Sequence, residues 1–228
     1  MNASTQRLVL IATVILMILF VFGNYFIHFF DPDSSYSLNT FNQPSLGNPD
    51  SKVEVVVFQD LTSLDSKNFN NAIFPKIKTD FIDTNKIKYI VIPVATEASS
   101  PIAEALLCTY YQDEKNQNSD LFFKFLDYFY ENQPASGSEV TQESVLAMAA
   151  KADPSVNVDK IKKCIDRNVY FTIIKQNSAE ATRVTNSATV KPPLFVNGMK
   201  VDSNSVEAIG KAINDALTAP PAKTGRGS

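Results

Sequence analysis

Cys108 and Cys164 are the only thiols in a chain of 228 residues, and His28 is its only imidazole. The two cysteines lie far from Cys-x-x-Cys spacing and are too few for a cysteine-only zinc site. A single histidine, set in an apolar segment, excludes a Ser-His-Asp triad, a His-Glu-x-x-His helix and His-ligated zinc in a soluble domain. No metal and no cofactor is expected. Hydroxyl nucleophiles remain in Ser63-Leu64-Asp65-Ser66. Without a histidine their base would be Asp60, Asp65, Lys67 or Lys191. A Ser-Lys pair is chemically possible, but nothing in the spacing requires one. The reading that fits Ser63 and Asp65 better is as capping residues of the first helix. A formal net charge of −3 without a basic run gives no electrostatic reason for nucleic-acid binding.

These residues sit on a legible frame. Residues 53–58 are β-branched or aromatic apart from Glu54 and read as a buried strand. After a break at 60–63, Phe69, Ile73, Ile77 and Phe81 keep helical spacing, with Pro75 inside the helix as a kink or an early end. Asp83-Thr84-Asn85 makes a turn, and residues 86–94 form a second strand, apolar enough for a central position. Strand, helix and strand make a βαβ unit with a right-handed crossover. Residues 99–185 then read as a helical insertion. Ser99, Ser100 and Pro101 start its first helix. The stripe Leu121, Phe122, Phe125, Leu126 and Phe129 reads as core rather than as a cofactor box. Residues 134–137 are a loop, and further helices begin near Thr141, Asp159 and Tyr170. Asn197-Gly198, between Leu194-Phe195-Val196 and Met199-Lys200-Val201, is a hairpin signal. A last helix with Val206, Ile209, Ile213 and Leu217 on one face packs on the sheet.

At the N-terminus, residues 8–30 form a mostly apolar run. At 1.5 Å per residue it is about 34 Å of helix, against a hydrocarbon core of about 30 Å. Val21-Phe22-Gly23 would suit a cleaved signal peptide, but the apolar run continues past it, which favours an uncleaved signal anchor. Arg7 before the segment and Asp31 and Asp33 after it place residues 1–7 in the cytoplasm and the remainder outside. The polar, Pro-containing segment 31–50 reads as a linker, 51–217 as the domain, and 218–228 as a disordered tail.

The element order β-α-β, helical insertion, β-β-α resembles the DsbA-like branch of the thioredoxin fold. The stretch from Phe58 to Phe69 is similar to that family's Phe-x-Asp-Phe-x-Cys-Pro-x-Cys-x-x-Phe. Pro75 falls where the family has a proline in its first helix, and Lys191-Pro192-Pro193-Leu194-Phe195-Val196-Asn197-Gly198 resembles its Thr-Pro-Thr-Phe-x-x-Asn-Gly. The stretches around Cys108 and Cys164 resemble cysteine-containing parts of the insertion in several members. The resemblance implies an α/β, thioredoxin-like fold with a helical insertion between βαβ and ββα halves, here preceded by one transmembrane helix. It places Ser63 and Ser66 at the two cysteine positions and Pro192 at the cis-proline position, with Pro193 a second candidate. Two prolines stiffening an ordinary trans loop is the other reading.

A hydroxyl can neither form a mixed disulfide nor be cycled between redox states, so Ser63 and Ser66 cannot run the family's reaction. Cys108 and Cys164 have two readings: a disulfide closing a 56-residue span, or two buried free thiols. An oxidising compartment favours the bond. The leading expectation is a single-pass envelope protein of a bacterium, its domain extracytoplasmic and without catalysis. It would bind an extended peptide or protein client in a groove of Leu64, Asp65, Lys191, Pro192 and Leu194. The alternative is a thiol:disulfide oxidoreductase acting through Cys108 and Cys164 or through a partner's thiols.

Overall fold

Two runs of β-branched residues, paired side by side, organise the domain. In a computed structural model that describes residues 17, 35–96, 100–112, 117–133, 140–185 and 192–219, the chain divides into two units, 1–34 and 35–228. The sheet and the helices packed on it belong to the second unit. The segment 8–30 lies outside the described residues apart from Met17, and among the described residues no helix is long and apolar enough to cross a membrane. Loop 134–137, Ser99 and residues 220–228 also lie outside them.

Strand β1 spans Ser45–Gly47, β2 Glu54–Asp60 and β3 Lys88–Val94; β4 is Leu194–Val196 and β5 Met199–Val201. The sheet order is β1-β3-β2-β4-β5. β2 and β3 run parallel, with Val55 opposite Tyr89 and Val57 opposite Val91, and the other pairings are antiparallel. Because successive side chains alternate faces, Val55, Val57, Tyr89 and Val91 join one apolar cluster and Val56, Phe58, Ile90 and Ile92 another. Both faces are therefore covered, as the apolar runs require.

Between β2 and β3 the chain is helical over residues 64–82, here α1, built of alternating α and π stretches. Pro75 neither ends nor breaks it. A proline lacks the N–H that would bond four residues back. The turn before it, Phe69–Ile73, has already widened to a π-helix, Phe74 N–H reaching the Phe69 carbonyl. A second π stretch, Lys78–Ile82, precedes the turn, where Asn85 takes a left-handed φ of 55°.

The insertion comprises α2 (Ser100–Tyr110), α3 (Ser119–Glu131), α4 (Gln142–Ala152), α5 (Val158–Asp166) and α6 (Phe171–Thr185). Asn118, Thr141 and Asn157 each accept a backbone N–H into their side chains as N-caps of α3, α4 and α5. The aromatic stripe of α3 is buried core as expected. α6 brings Ala181 and Val184 against the second face of the sheet, and α7, Val206–Thr218, brings Ile209 and Ile213 to the first.

Residues 35–50 are not a free linker. β1 pairs with β3 and covers what would be an exposed edge. Gln43 is buried, and its Nε2 donates to Asn177 Oδ1 of α6 at 3.1 Å. Tyr36 N–H donates to the Gly198 carbonyl at 2.9 Å. A three-residue edge strand formed by tertiary pairing leaves no period in a Ser-, Asn- and Pro-rich sequence.

Candidate functional site

The turn between β2 and α1 is built by Asp60. Its Oδ1 accepts the Thr62 N–H and hydroxyl, each at 3.2 Å, and its carbonyl accepts the Ser63 N–H. Ser63 holds the N-cap position of α1 without a side-chain capping bond, so the capping reading applies to its place and not to its hydroxyl. Leu64 is 63% exposed. Ser66 is buried and hydrogen-bonds the Tyr130 hydroxyl, which also donates to Gln59 Oε1 at 3.3 Å. Burial pushes the Tyr130 phenol far up, and the Ser66 bond opposes that push. Ser66 is thus part of a polar layer beneath the turn and is closed to a substrate.

The expected groove is only partly assembled. Pro192 and Pro193 are buried, and the Pro193 carbonyl accepts the Phe58 N–H at 3.0 Å. Among the described residues no peptide bond is cis, so Pro192–Pro193 is trans. Lys191, where the bond into Pro192 begins, lies outside them. Leu194 does not line a groove. It pairs with Val57 and is wholly buried in the core, because β4 is an interior strand between β2 and β5.

A second site lies in the insertion. Cys108, in the last turn of α2, and Cys164, in the last turn of α5, are bonded, their Cα atoms 6.0 Å apart. Both line a cleft of about 290 Å³, where Cys164 is half-buried and Cys108 3% exposed. Each cysteine sits on a helical stripe. Lys160, Lys163, Cys164 and Arg167 fall at i, i+3, i+4 and i+7, and Glu104, Cys108, Tyr111 and Gln112 at i, i+4, i+7 and i+8, so each set shares a face. Lys160, Lys163 and Arg167 line the cleft and make no ion pair among the described residues, while neighbouring Lys162 pairs with Asp166 at 2.6 Å. Tyr111 and Tyr170 stack as one wall, centroids 4.7 Å apart at 16°. Gln112 ties the end of α2 to the start of α5: its Oε1 accepts the Asn157 N–H at 2.5 Å, and its Nε2 donates to the Ser155 carbonyl.

Behind this cleft Glu104 is 2% exposed. Its Oε2 accepts the Tyr170 N–H at 3.3 Å, its Oε1 has no partner among the described residues, and burial holds the carboxyl above its ordinary range against the pull of the Tyr170 and Phe171 amides. Among the described residues no three His, Cys, Asp or Glu side chains converge as a metal site requires.

A family model described as Thioredoxin matches residues 39–215. The chain belongs to this thioredoxin family. Within it the chain is DsbA-like. It is 28% identical over 155 residues to Disulfide bond formation protein D of Bacillus subtilis, covering 68% of each chain. It is 27% identical over 178 residues to a probable disulfide bond formation protein D of Bacillus cereus, covering 77% of this chain and 79% of that one. The oxidised BdbD structure from Bacillus subtilis superposes with a TM-score of 0.72 at 25% identity, over 81% of this chain and 98% of that one. DsbA of Chlamydia trachomatis, at 22% identity, shares the fold with a TM-score of 0.72, over 83% of this chain and 100% of that one.

These likenesses correct the leading expectation of a non-catalytic binder. The relatives are disulfide bond formation proteins, and the two cysteines of this chain form a disulfide. Sequence reasoning named Cys108 and Cys164 but passed over the cations and tyrosines around them. The helical spacing of Lys160, Lys163, Cys164 and Arg167 was the signal that could have found them.

Proposed function

We propose that this chain is a thiol:disulfide oxidoreductase acting in disulfide bond formation, and that Cys108–Cys164 is the bond it exchanges. The observation that carries the reading is the setting of that bond: both cysteines line a cation-lined cleft, Cys164 half-buried and Cys108 3% exposed, so Cys164 is the more accessible of the two. Exchange requires an accessible sulfur to attack and a leaving thiolate that is stabilised. Since the chain has no other cysteine, any disulfide it donates is this one.

The steps follow from the geometry. A client thiolate attacks Cys164 Sγ; the Sγ–Sγ bond breaks, and its electron pair leaves on Cys108. A mixed disulfide then joins the client to Cys164. A second client thiolate attacks the client sulfur of that bond and releases the Cys164 thiolate. The client is oxidised by two electrons, and Cys108 and Cys164 are left reduced. A partner disulfide restores the bond by the reverse exchange and becomes a dithiol. Such chemistry belongs to an oxidising compartment, which fits an extracytoplasmic domain tethered through residues 8–30 as a single-pass anchor, with client proteins as its partners.

The test is oxidation of a fluorescent dithiol peptide by the oxidised full chain in a single turnover. About one peptide disulfide should form per protein, and none with the Cys108→Ala/Cys164→Ala variant. Mixed instead with the disulfide form of the peptide, Cys108→Ala should hold it as a mixed disulfide, the Cys164 thiolate attacking the peptide's disulfide and freeing one peptide thiol. Oxidation by the double variant at the rate of the native chain would overturn the reading.

A further inference from the structure

We infer that the cleft over Cys164 selects thiols that carry negative charge close to the sulfur: acidic small thiols, and client cysteines flanked by Asp or Glu. The inference rests on the reading of Cys108–Cys164 as the exchanging bond, and it names what that bond meets.

The lining of the cleft is of one sign. Lys160, Lys163 and Arg167 stand on the same face of α5 and its end as Cys164, and among the described residues no carboxylate lines the cleft with them. Carboxylates nearby are engaged elsewhere. Asp166 is held by Lys162 at 2.6 Å and by Gln142 at 2.8 Å. Glu104, behind the disulfide, receives the Tyr170 N–H that starts α6. Lys160 reaches the Gln112 carbonyl at 3.5 Å, which leans it across the cleft mouth. A cleft with one sign of charge focuses its field and raises the local concentration of the opposite charge. The same cations stabilise the Cys164 thiolate that is released when the mixed disulfide resolves, while an anionic nucleophile gains from them on its approach to Cys164. The half-exposed Val169 gives the rim one apolar contact, suited to the carbon stem of a thiol or a residue beside the cysteine.

Three thiols of similar size separate charge from other effects: 2-mercaptoethanesulfonate (anionic), 2-mercaptoethanol (neutral) and cysteamine (cationic). The second-order rate at which each reduces Cys108–Cys164 in the full chain is divided by its rate on bis(2-hydroxyethyl) disulfide. That division removes differences in thiol pKa and intrinsic nucleophilicity. The normalised rates should fall from anion to neutral to cation, with about a tenfold spread at low salt. The spread should collapse between about 0.01 M and about 1 M salt, as the screening length drops from about 30 Å to about 3 Å. It should also collapse in Lys160→Gln/Lys163→Gln/Arg167→Gln, and in part in each single variant. Equal normalised rates, or an order that survives both high salt and the triple variant, would overturn the inference and leave the exchanging bond standing. Failure of all three thiols to reduce the bond in the folded chain, while they reduce it in denaturant, would overturn the exchanging bond itself.

Discussion

Both sulfurs lie in the last turns of their helices, where the partial negative charge of the helix end opposes a thiolate. A dithiol at a helix N-terminus has the opposite advantage. Here the compensating charge comes from side chains, Lys163 and Arg167 beside Cys164 and Lys160 across the mouth. Glu104 works against them from behind unless it is neutral, and its burial favours the neutral form. That preference gives its effect on stability a definite sign. A carboxyl whose folded pKa lies above its unfolded value contributes fully below the unfolded pKa, near about 4.3 for glutamate, and loses that contribution as pH rises through the folded value. Glu104→Gln keeps an oxygen for the Tyr170 N–H and has no such loss. The variant should therefore gain on the native chain as pH rises above the unfolded value of about 4.3, read from denaturant midpoints of the oxidised proteins. A stability difference that stays constant over that rise would mean that Glu104 titrates normally.

Asn197-Gly198 was readable from the sequence as a hairpin, and both residues take left-handed φ values, 48° and 81°. A Cβ on Gly198 would meet the Tyr36 carbonyl oxygen, so the same turn also docks the strap that precedes β1. Gly198→Ala should then cost about 1–3 kcal/mol, from strain at a position reserved for glycine, and amide exchange should rise at Tyr36. A loss under 0.5 kcal/mol, within the usual surface range of about 0.5 kcal/mol, would show that the strap yields without cost. Legibility differed between elements for physical reasons. The central strands were visible because burial on both faces demands an unbroken apolar run. β1 was not, because three residues on an edge take their pairing from β3 and carry no pattern of their own. Pro75 announced a disturbance in α1, but the π turn that absorbs it depends on backbone bonding that the side chains do not encode. The disulfide was legible only as one of two alternatives. The cations of α5 were visible at helical spacing, yet their meaning depended on which face α5 turns toward α2.

Taken over the whole molecule, the disulfide couples folding to redox state. Closing 56 residues in the unfolded chain is worth about 4 kcal/mol by loop entropy. By a thermodynamic cycle the folded chain favours the bond over the dithiol by that much more than the unfolded chain does. A staple would hold that full difference. A bond that must be given to a client and taken back needs a smaller one, and the cleft reduces it by stabilising the reduced form: three cations without an ion pair among the described residues face the sulfur that becomes a thiolate. The oxidised and reduced full chains, unfolded in denaturant at about pH 8, just below an ordinary thiol pKa of about 8.5, should then differ by less than about 4 kcal/mol. In Lys160→Gln/Lys163→Gln/Arg167→Gln the gap should widen, by about 1 kcal/mol or less because these charges are solvent-exposed. It should also widen in the native chain at high salt, where the cations are screened. A gap at the full loop-entropy value, unmoved by salt or by the three substitutions, would mark Cys108–Cys164 as a structural brace between α2 and α5.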